Sequence, residues 1–176
     1  MSSNKQGTEK NQHTVVILTD ANVLINFIHI GQLDLLRELP GYRFVVPEHV
    51  TDEVQQDDQA RRLAKAMADD VLAPTAITDL DEMALYAELH RTLGQGESAC
   101  LAIAVHRGFS IASDEKKAFR RTAIKKIGEQ RLMRTQDLIV MAIREGLVTV
   151  AQADQWKRKL ETKRFKVKFN SFQDLL

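Results

Sequence analysis

The chain has 176 residues, 44% of them hydrophobic and 28% charged, and a formal net charge of +1. That composition excludes a disordered or collagen-like chain, and the length suits one compact domain burying roughly 70% of the surface its unfolded form exposes. Cys100 is the only cysteine, so neither an intramolecular disulfide nor a Cys-rich zinc site can form, and a cytoplasmic location is the expectation.

Residues 1–12 are polar and lack the apolar run of a secretory signal, so they read as a tail. His13–Thr19 (HTVVILT) is β-rich with almost no polar interruption, the pattern of a strand buried on both faces. Val23, Leu24, Phe27, Ile28 and then Leu33, Leu35 and Leu36 recur at helical spacing, with Gly31 between two short helices. The longest uncharged run, Ala21–Leu33, is far short of the roughly 20 apolar residues that span a bilayer, so no membrane segment is expected. Arg43–Val46 is a second strand, and Pro47 opens a helix that turns Val50 and Val54 inward.

Gln59–Met67 continues as a helix, and a short third strand falls near Val71–Ile77. Asp79 and Asp81 offer cap oxygens to a helix running to about Leu93. Gly94 and Gly96 break it, and Glu97–Val105 begins a helix that is apolar almost all round and must be buried. Phe109–Ser113 is a fourth strand and Arg131–Arg134 a fifth. Thr135 caps a helix ending at Gly146, and Thr149 caps another through Trp156 and Leu160. The βαβα order predicts an α/β fold: an open parallel sheet with helices on both faces and ligands at the carboxyl ends of its strands.

Charge is unevenly spread. Glu48–Glu97 holds twelve acids against four bases, net −8, whereas Lys116–Arg134 holds eight bases against Glu129 alone, net +7. Lys157–Lys168 adds seven bases against Glu161, net +6. Such runs read either as solvated helix faces or as a phosphate-binding surface.

The acids at the element ends carry the chemistry. Asp20 follows the first strand, Asp114 and Glu115 follow the fourth, Glu97 opens the buried helix after a Gly-x-Gly bend, and Glu53 lies one to two turns into the helix after the second strand. Neighbouring strands lie about 5 Å apart, so Asp20 and Asp114 would face each other if the first and fourth strands pair. Carboxylates that close need a proton or a cation between them, and a set of acids without a Cys or His pair suits Mg²⁺ or Mn²⁺. The commonest use of such a site is metal-assisted attack of water on a phosphodiester. Each acid also has a plainer role open to it: Asp20 and Asp114 as helix caps, Glu97 as a complement to a helix dipole, Glu53 as a solvated helix residue.

Four segments, VVILTDANVLI, VVPEHVTDEV, LGQGESACLAIA and IASDEKKA, resemble the PIN domain family in order and spacing. The resemblance runs from about Val15 to Gly146. It implies a three-layer α/β/α fold with a mostly parallel sheet of about five strands. It makes residues 13–148 a PIN-like nuclease domain, with 149–176 as a C-terminal helix and tail packed on it. It also implies an acidic cluster of Asp20, Glu53, Glu97 and Asp114 that is both catalytic and metal-binding, with Mg²⁺ or Mn²⁺ as cofactor and RNA as substrate. Asn22 stands where the family often has a polar residue near the metal, and Glu115 where many relatives carry a second acid. Lys116, Lys117, Arg120 and Arg121 would hold RNA. Relatives often have an arginine about five residues after the Asp114 position; here that residue is Phe119, with Arg120 and Arg121 beyond it, and one residue rotates a helical side chain by about 100°.

The leading reading is therefore a metal-dependent ribonuclease, the toxin of a toxin and antitoxin pair, with an antitoxin partner and a homodimer as family expectations. The alternative is a catalytically inactive PIN-like module that binds RNA or protein. A phosphotransfer reading of Asp-Ala-Asn, with Asp20 as covalent nucleophile, fares worse, because that chemistry commonly wants a second acid where Asn22 stands.

Overall fold

The computed structural model describes residues 14–115, 117–163 and 165–176. The N-terminal tail, His13 of the expected first strand, and Lys116 lie outside the described residues.

Five strands form one all-parallel sheet, so the protein is an α/β fold. They are β1 (Val15–Thr19), β2 (Tyr42–Pro47), β3 (Ala73–Thr75), β4 (Ser110–Ala112) and β5 (Leu132–Met133), in spatial order β3-β2-β1-β4-β5. The third, fourth and fifth strands are shorter than the sequence predicts, and the third and fifth lie at edges. Pro74 sits in β3, where its missing N–H costs no ladder bond because only one side is paired.

Between β1 and β3 come α1 (Ala21–Ile30), α2 (Leu35–Glu38), α3 (Glu48–Glu53) and α4 (Asp57–Ala68). Between β3 and β5 come α5 (Leu80–Leu89), α6 (Gln95–Arg107) and α7 (Ala118–Ile127), and the chain closes with α8 (Thr135–Arg144) and α9 (Val150–Glu161). The sheet grows toward one edge through β1, β2 and β3, and toward the other through β4 and β5. Right-handed crossovers therefore put the two helix groups on opposite faces. Most of the packing agrees: α1 touches α4, α8 and α9, whereas α6 touches α5 and α7, and α3 touches both α1 and α6.

The elements end where local chemistry says they should. Gly31 takes φ +71°, the left-handed conformation that closes α1 at the C-cap. Asp79 alone caps α5, accepting from the N–H groups of Asp81 and Glu82. α6 begins at Gln95 rather than Glu97, because Glu97 folds back to accept the Gly94 N–H at 2.9 Å. α8 is capped at Arg134, whose N–H donates to Asp137; Thr135 is the first helical residue and its hydroxyl points elsewhere. As its composition demands, α6 is buried, with every side chain from Ser98 to Ala104 fully inside. No helix among the described residues is long and apolar enough to cross a membrane.

One ion pair locks the end of the sheet to the start of α5. Arg107, the last residue of α6, donates to Glu82 through Nε at 2.6 Å and Nη2 at 2.8 Å, and further to the Thr75 hydroxyl and the Ala76 carbonyl. Glu82 is only 2% exposed, and the guanidinium beside it holds its carboxyl below the ordinary 4.5. Glu82→Ala should cost about 2 kcal/mol by leaving the half-buried guanidinium unpaired. Because the folded pKa is depressed, this stabilisation is present above pH 4.5 and is lost as pH falls through the folded value. The melting temperatures of parent and variant should therefore converge in acid; curves that stay parallel down to about pH 3 would contradict the assignment.

Candidate functional site

The sheet reverses its direction of growth between β1 and β4, the switch point at which open α/β sheets leave a crevice. The register pairs Thr19 with Ala112, and the Asp20 N–H extends the ladder to the Ala112 carbonyl at 3.0 Å. Asp20 and Ser113 therefore leave the sheet side by side. The Ser113 hydroxyl donates to Asp20 Oδ2 at 2.9 Å, and Oδ1 accepts the Ala21 N–H at 2.9 Å. The helix-capping role and the crevice position thus belong to one carboxylate. It is 3% exposed, and its pKa is pushed up to about 7, chiefly by burial. The two hydrogen bonds oppose that shift, and the negative charges of Glu53 and Glu97 add to it.

Glu53 ends α3, and its Oε1 accepts the Gly96 N–H at 2.7 Å. A Cβ at Gly96 would lie 2.7 Å from Glu53 Oε2, so the Glu53 carboxylate keeps this place only against glycine. Glu97, half-buried beside it, has its pKa raised by burial and then by the charges of Glu115 and Glu53. Beneath them Cys100 is fully buried, its thiol pushed well up by desolvation and by the same acids, which keeps it an unreactive core residue.

Asp114, one residue beyond Ser113, is held by partners other than those of Asp20. Its Oδ1 accepts the Thr135 N–H at 2.9 Å, and its Oδ2 accepts the Asn26 amide at 2.9 Å together with the Thr135 hydroxyl. Burial raises its pKa, against these bonds and the nearby charge of Arg134. Asn22 accepts the Asp114 N–H at 3.1 Å and donates to Glu115 at 2.9 Å. Charge thus links Asp20 to Glu53 and Glu97, and Glu97 to Glu53 and Glu115, whereas Asp114 is anchored on a separate set of donors. Ser113, Asn26 and Thr135 are positioning residues that the sequence reading missed. Asn26 had a signal: with Asn22 it forms an i, i+4 amide pair on a helix whose other residues are apolar except His29.

The basic run divides by use. Lys117 and Arg121 are exposed and line a shallow groove of about 430 Å³ with Arg120 and Lys125. Arg120 also pairs with Glu129 at 2.6 Å. Phe119, where relatives often carry arginine, is buried in the core. Arg131 is structural, tying the Ala104 and Phe109 carbonyls together where α6 hands over to β4.

A family model described as DUF3368: PIN domain matches residues 16–176. The chain belongs to the PIN domain family. No functionally curated protein matches it in sequence. Among solved structures it is similar to a chain of the crystal structure of VapBC2 from Rickettsia felis bound to a DNA fragment from their promoter. That likeness has 13% identity and a TM-score of 0.48, and covers 68% of this chain and 97% of that one.

The donor chemistry of this PIN domain fits a hard divalent cation. Its acids are oxygen donors only, and the charges acting on Asp20 are carboxylates. As they stand, no group of three or more His, Cys, Asp or Glu side chains among the described residues is arranged to hold an ion. Glu53 and Glu97 are instead turned onto backbone N–H groups of the turn at Gly94 and Gly96.

The raised pKa of Asp20 makes a stability prediction. The folded chain keeps a proton that the unfolded chain loses above 3.8, so stability falls as pH rises from 3.8 to about 7, by about 4 kcal/mol in full. In Asp20→Asn that pH-dependent loss is absent. In EDTA, the variant should melt above the parent at pH 8, with the difference shrinking toward pH 4. A variant that melts below the parent across this range would show that the carboxylate is not paying a burial cost.

Proposed function

We propose that this PIN domain is a divalent-metal-dependent endoribonuclease that hydrolyses RNA phosphodiester bonds. The observation that carries the reading is the buried Asp20 at the switch point, crowded by the like charges of Glu53 and Glu97. Asp20, Glu53, Glu97 and Asp114 would hold Mg²⁺ or Mn²⁺, with Glu115 reaching through water. A cation bound there would make the attacking water more acidic and neutralise charge on the phosphoryl and leaving oxygens.

The protein's own groups account for the rest. Ser113 and the Ala21 N–H fix the orientation of Asp20, and Thr135 and Asn26 fix that of Asp114. Asn22 keeps Glu115 at the mouth of the crevice. Lys116, Lys117, Arg120 and Arg121 would supply the positive charge that a polyanion needs beside an acidic cleft. Within the family, the same reading extends to a cytoplasmic toxin with an antitoxin partner and a homodimeric state.

A second reading, a binding module without turnover, has one observation in its favour: Asp114 is fully engaged by Thr135 and Asn26. Cleavage of labelled single-stranded RNA by the purified protein separates the two. The expected result is cleavage with Mn²⁺ or Mg²⁺ that EDTA abolishes and that Asp20→Asn lowers by about 100-fold or more. A folded protein that binds manganese yet leaves varied RNAs intact would favour the module.

Gly96→Ala is a finer probe. Its Cβ must displace the Glu53 carboxylate, the far end of a flexible side chain, so the fold should survive. The melting temperature should fall by less than about 4 °C while cleavage falls by about tenfold or more. Unchanged cleavage would remove Glu53 from the site.

A further inference from the structure

Building on the nuclease reading, we infer that the C-terminal segment 165–169 forms a second wall of the substrate channel. In this arrangement Lys166 and Lys168, together with Arg134, bind the phosphate backbone of single-stranded RNA.

The segment is built to present those lysines. Its sequence, Phe-Lys-Val-Lys-Phe, alternates with period two: Phe165, Val167 and Phe169 are half-buried, and Lys166 and Lys168 are exposed. It is also pinned. Phe169 meets the fully buried Phe172 edge to face at 5.0 Å, and Lys157 of α9 lies 5.8 Å from the centre of the Phe169 ring. Just beyond, Asp154 of α9 accepts the Ser171 hydroxyl at 2.7 Å and the Phe172 N–H at 2.8 Å. A chain held at these points keeps its outward side chains in place relative to the sheet.

Between this segment and the start of α8 lies a cavity of about 570 Å³, lined by Lys166, Lys168, Phe169, Arg134, Gln136 and Asp114. Asp114, one of the acids assigned above to the cation, is part of its lining. Among the described residues, Arg134 has a buried Nε with no hydrogen-bond partner, and it acts on Asp114 by its charge without forming an ion pair. Among the described residues, Lys166 and Lys168 make no ion pair either. Among the described residues, three cations without an ion-pair partner therefore line one cavity beside Asp114. A phosphodiester supplies the missing negative charge and acceptor oxygens. None of these residues lines the groove along α7, so the two cationic surfaces are separate contacts for one strand.

The test uses the full chain in EDTA and a labelled single-stranded RNA of about 20 nucleotides, with affinity read by fluorescence anisotropy across a salt series. Lys166→Gln/Lys168→Gln should weaken binding at least about tenfold and shrink the slope of log K against log salt by about 1.4, about 0.7 for each contact. Arg158→Gln/Lys159→Gln removes the same charge from the exposed face of α9 and should stay within about twofold of the parent. All substituted side chains are exposed, so melting temperatures should not move. Affinity of the 166/168 variant within about twofold of a parent that binds and cleaves RNA would overturn the inference and leave the nuclease reading standing. Equal losses in both double variants would overturn it too, by showing unlocalised electrostatics. A parent that neither binds nor cleaves RNA would overturn both.

Discussion

Taking the Asp20 carboxyl out of water is costly, and much of the surrounding architecture offsets that cost. The position is imposed by topology: β1 is the central strand, and its carboxyl end opens where the sheet changes direction. An apolar residue there would be cheaper. Instead the chain supplies the Ala21 N–H and the Ser113 hydroxyl to the two oxygens, and then brings two further acids near enough to oppose ionisation. Hydrogen bonds that favour the charge and neighbours that disfavour it leave the carboxyl balanced near neutrality, a frequent condition at sites that bind cations or protons.

The loop after β4 is held with the same economy. Asn22 and Asn26, one turn apart on α1, reach the backbone and side chain of Asp114 and the side chain of Glu115, and Thr135 at the start of α8 completes the set. Two helices distant in sequence thus fix one short acidic loop. The Gly94 to Glu97 turn does the equivalent for the other side, where the missing Cβ of Gly96 lets the Glu53 carboxylate sit against the backbone.

Positive charge is divided between structure and surface. Arg107 and Arg131 spend their guanidinium groups on a buried carboxylate and on carbonyls at element ends, roles for which a planar fork of donors is suited. Lys117 and Arg121 on one surface, and Lys166 and Lys168 on another, remain exposed. Net charge over a window cannot separate these uses, since Arg131 and Arg121 count equally until their neighbours are known.

Sequence periodicity alone fixed the class of the fold. The apolar run of β1, the all-round apolar α6 and the alternation of strand and helix admit little besides a parallel sheet covered on both faces, because hydrophobic burial is dictated by local pattern. The positions of the acids at element ends were legible for the same reason. The lengths of β3, β4 and β5 were not, since how far a strand pairs depends on its partners as well as on its own residues. Nor could sequence show that Asp20 would meet Ser113 instead of Asp114: that follows from a register in which Thr19 opposes Ala112, and a shift of one residue reverses which side chains face each other. The grip of Asn26 and Thr135 on Asp114, and the return of the C-terminal segment to the cavity beside Asp114, were likewise decided by tertiary structure, because each joins residues that only the packing of separate helices brings together.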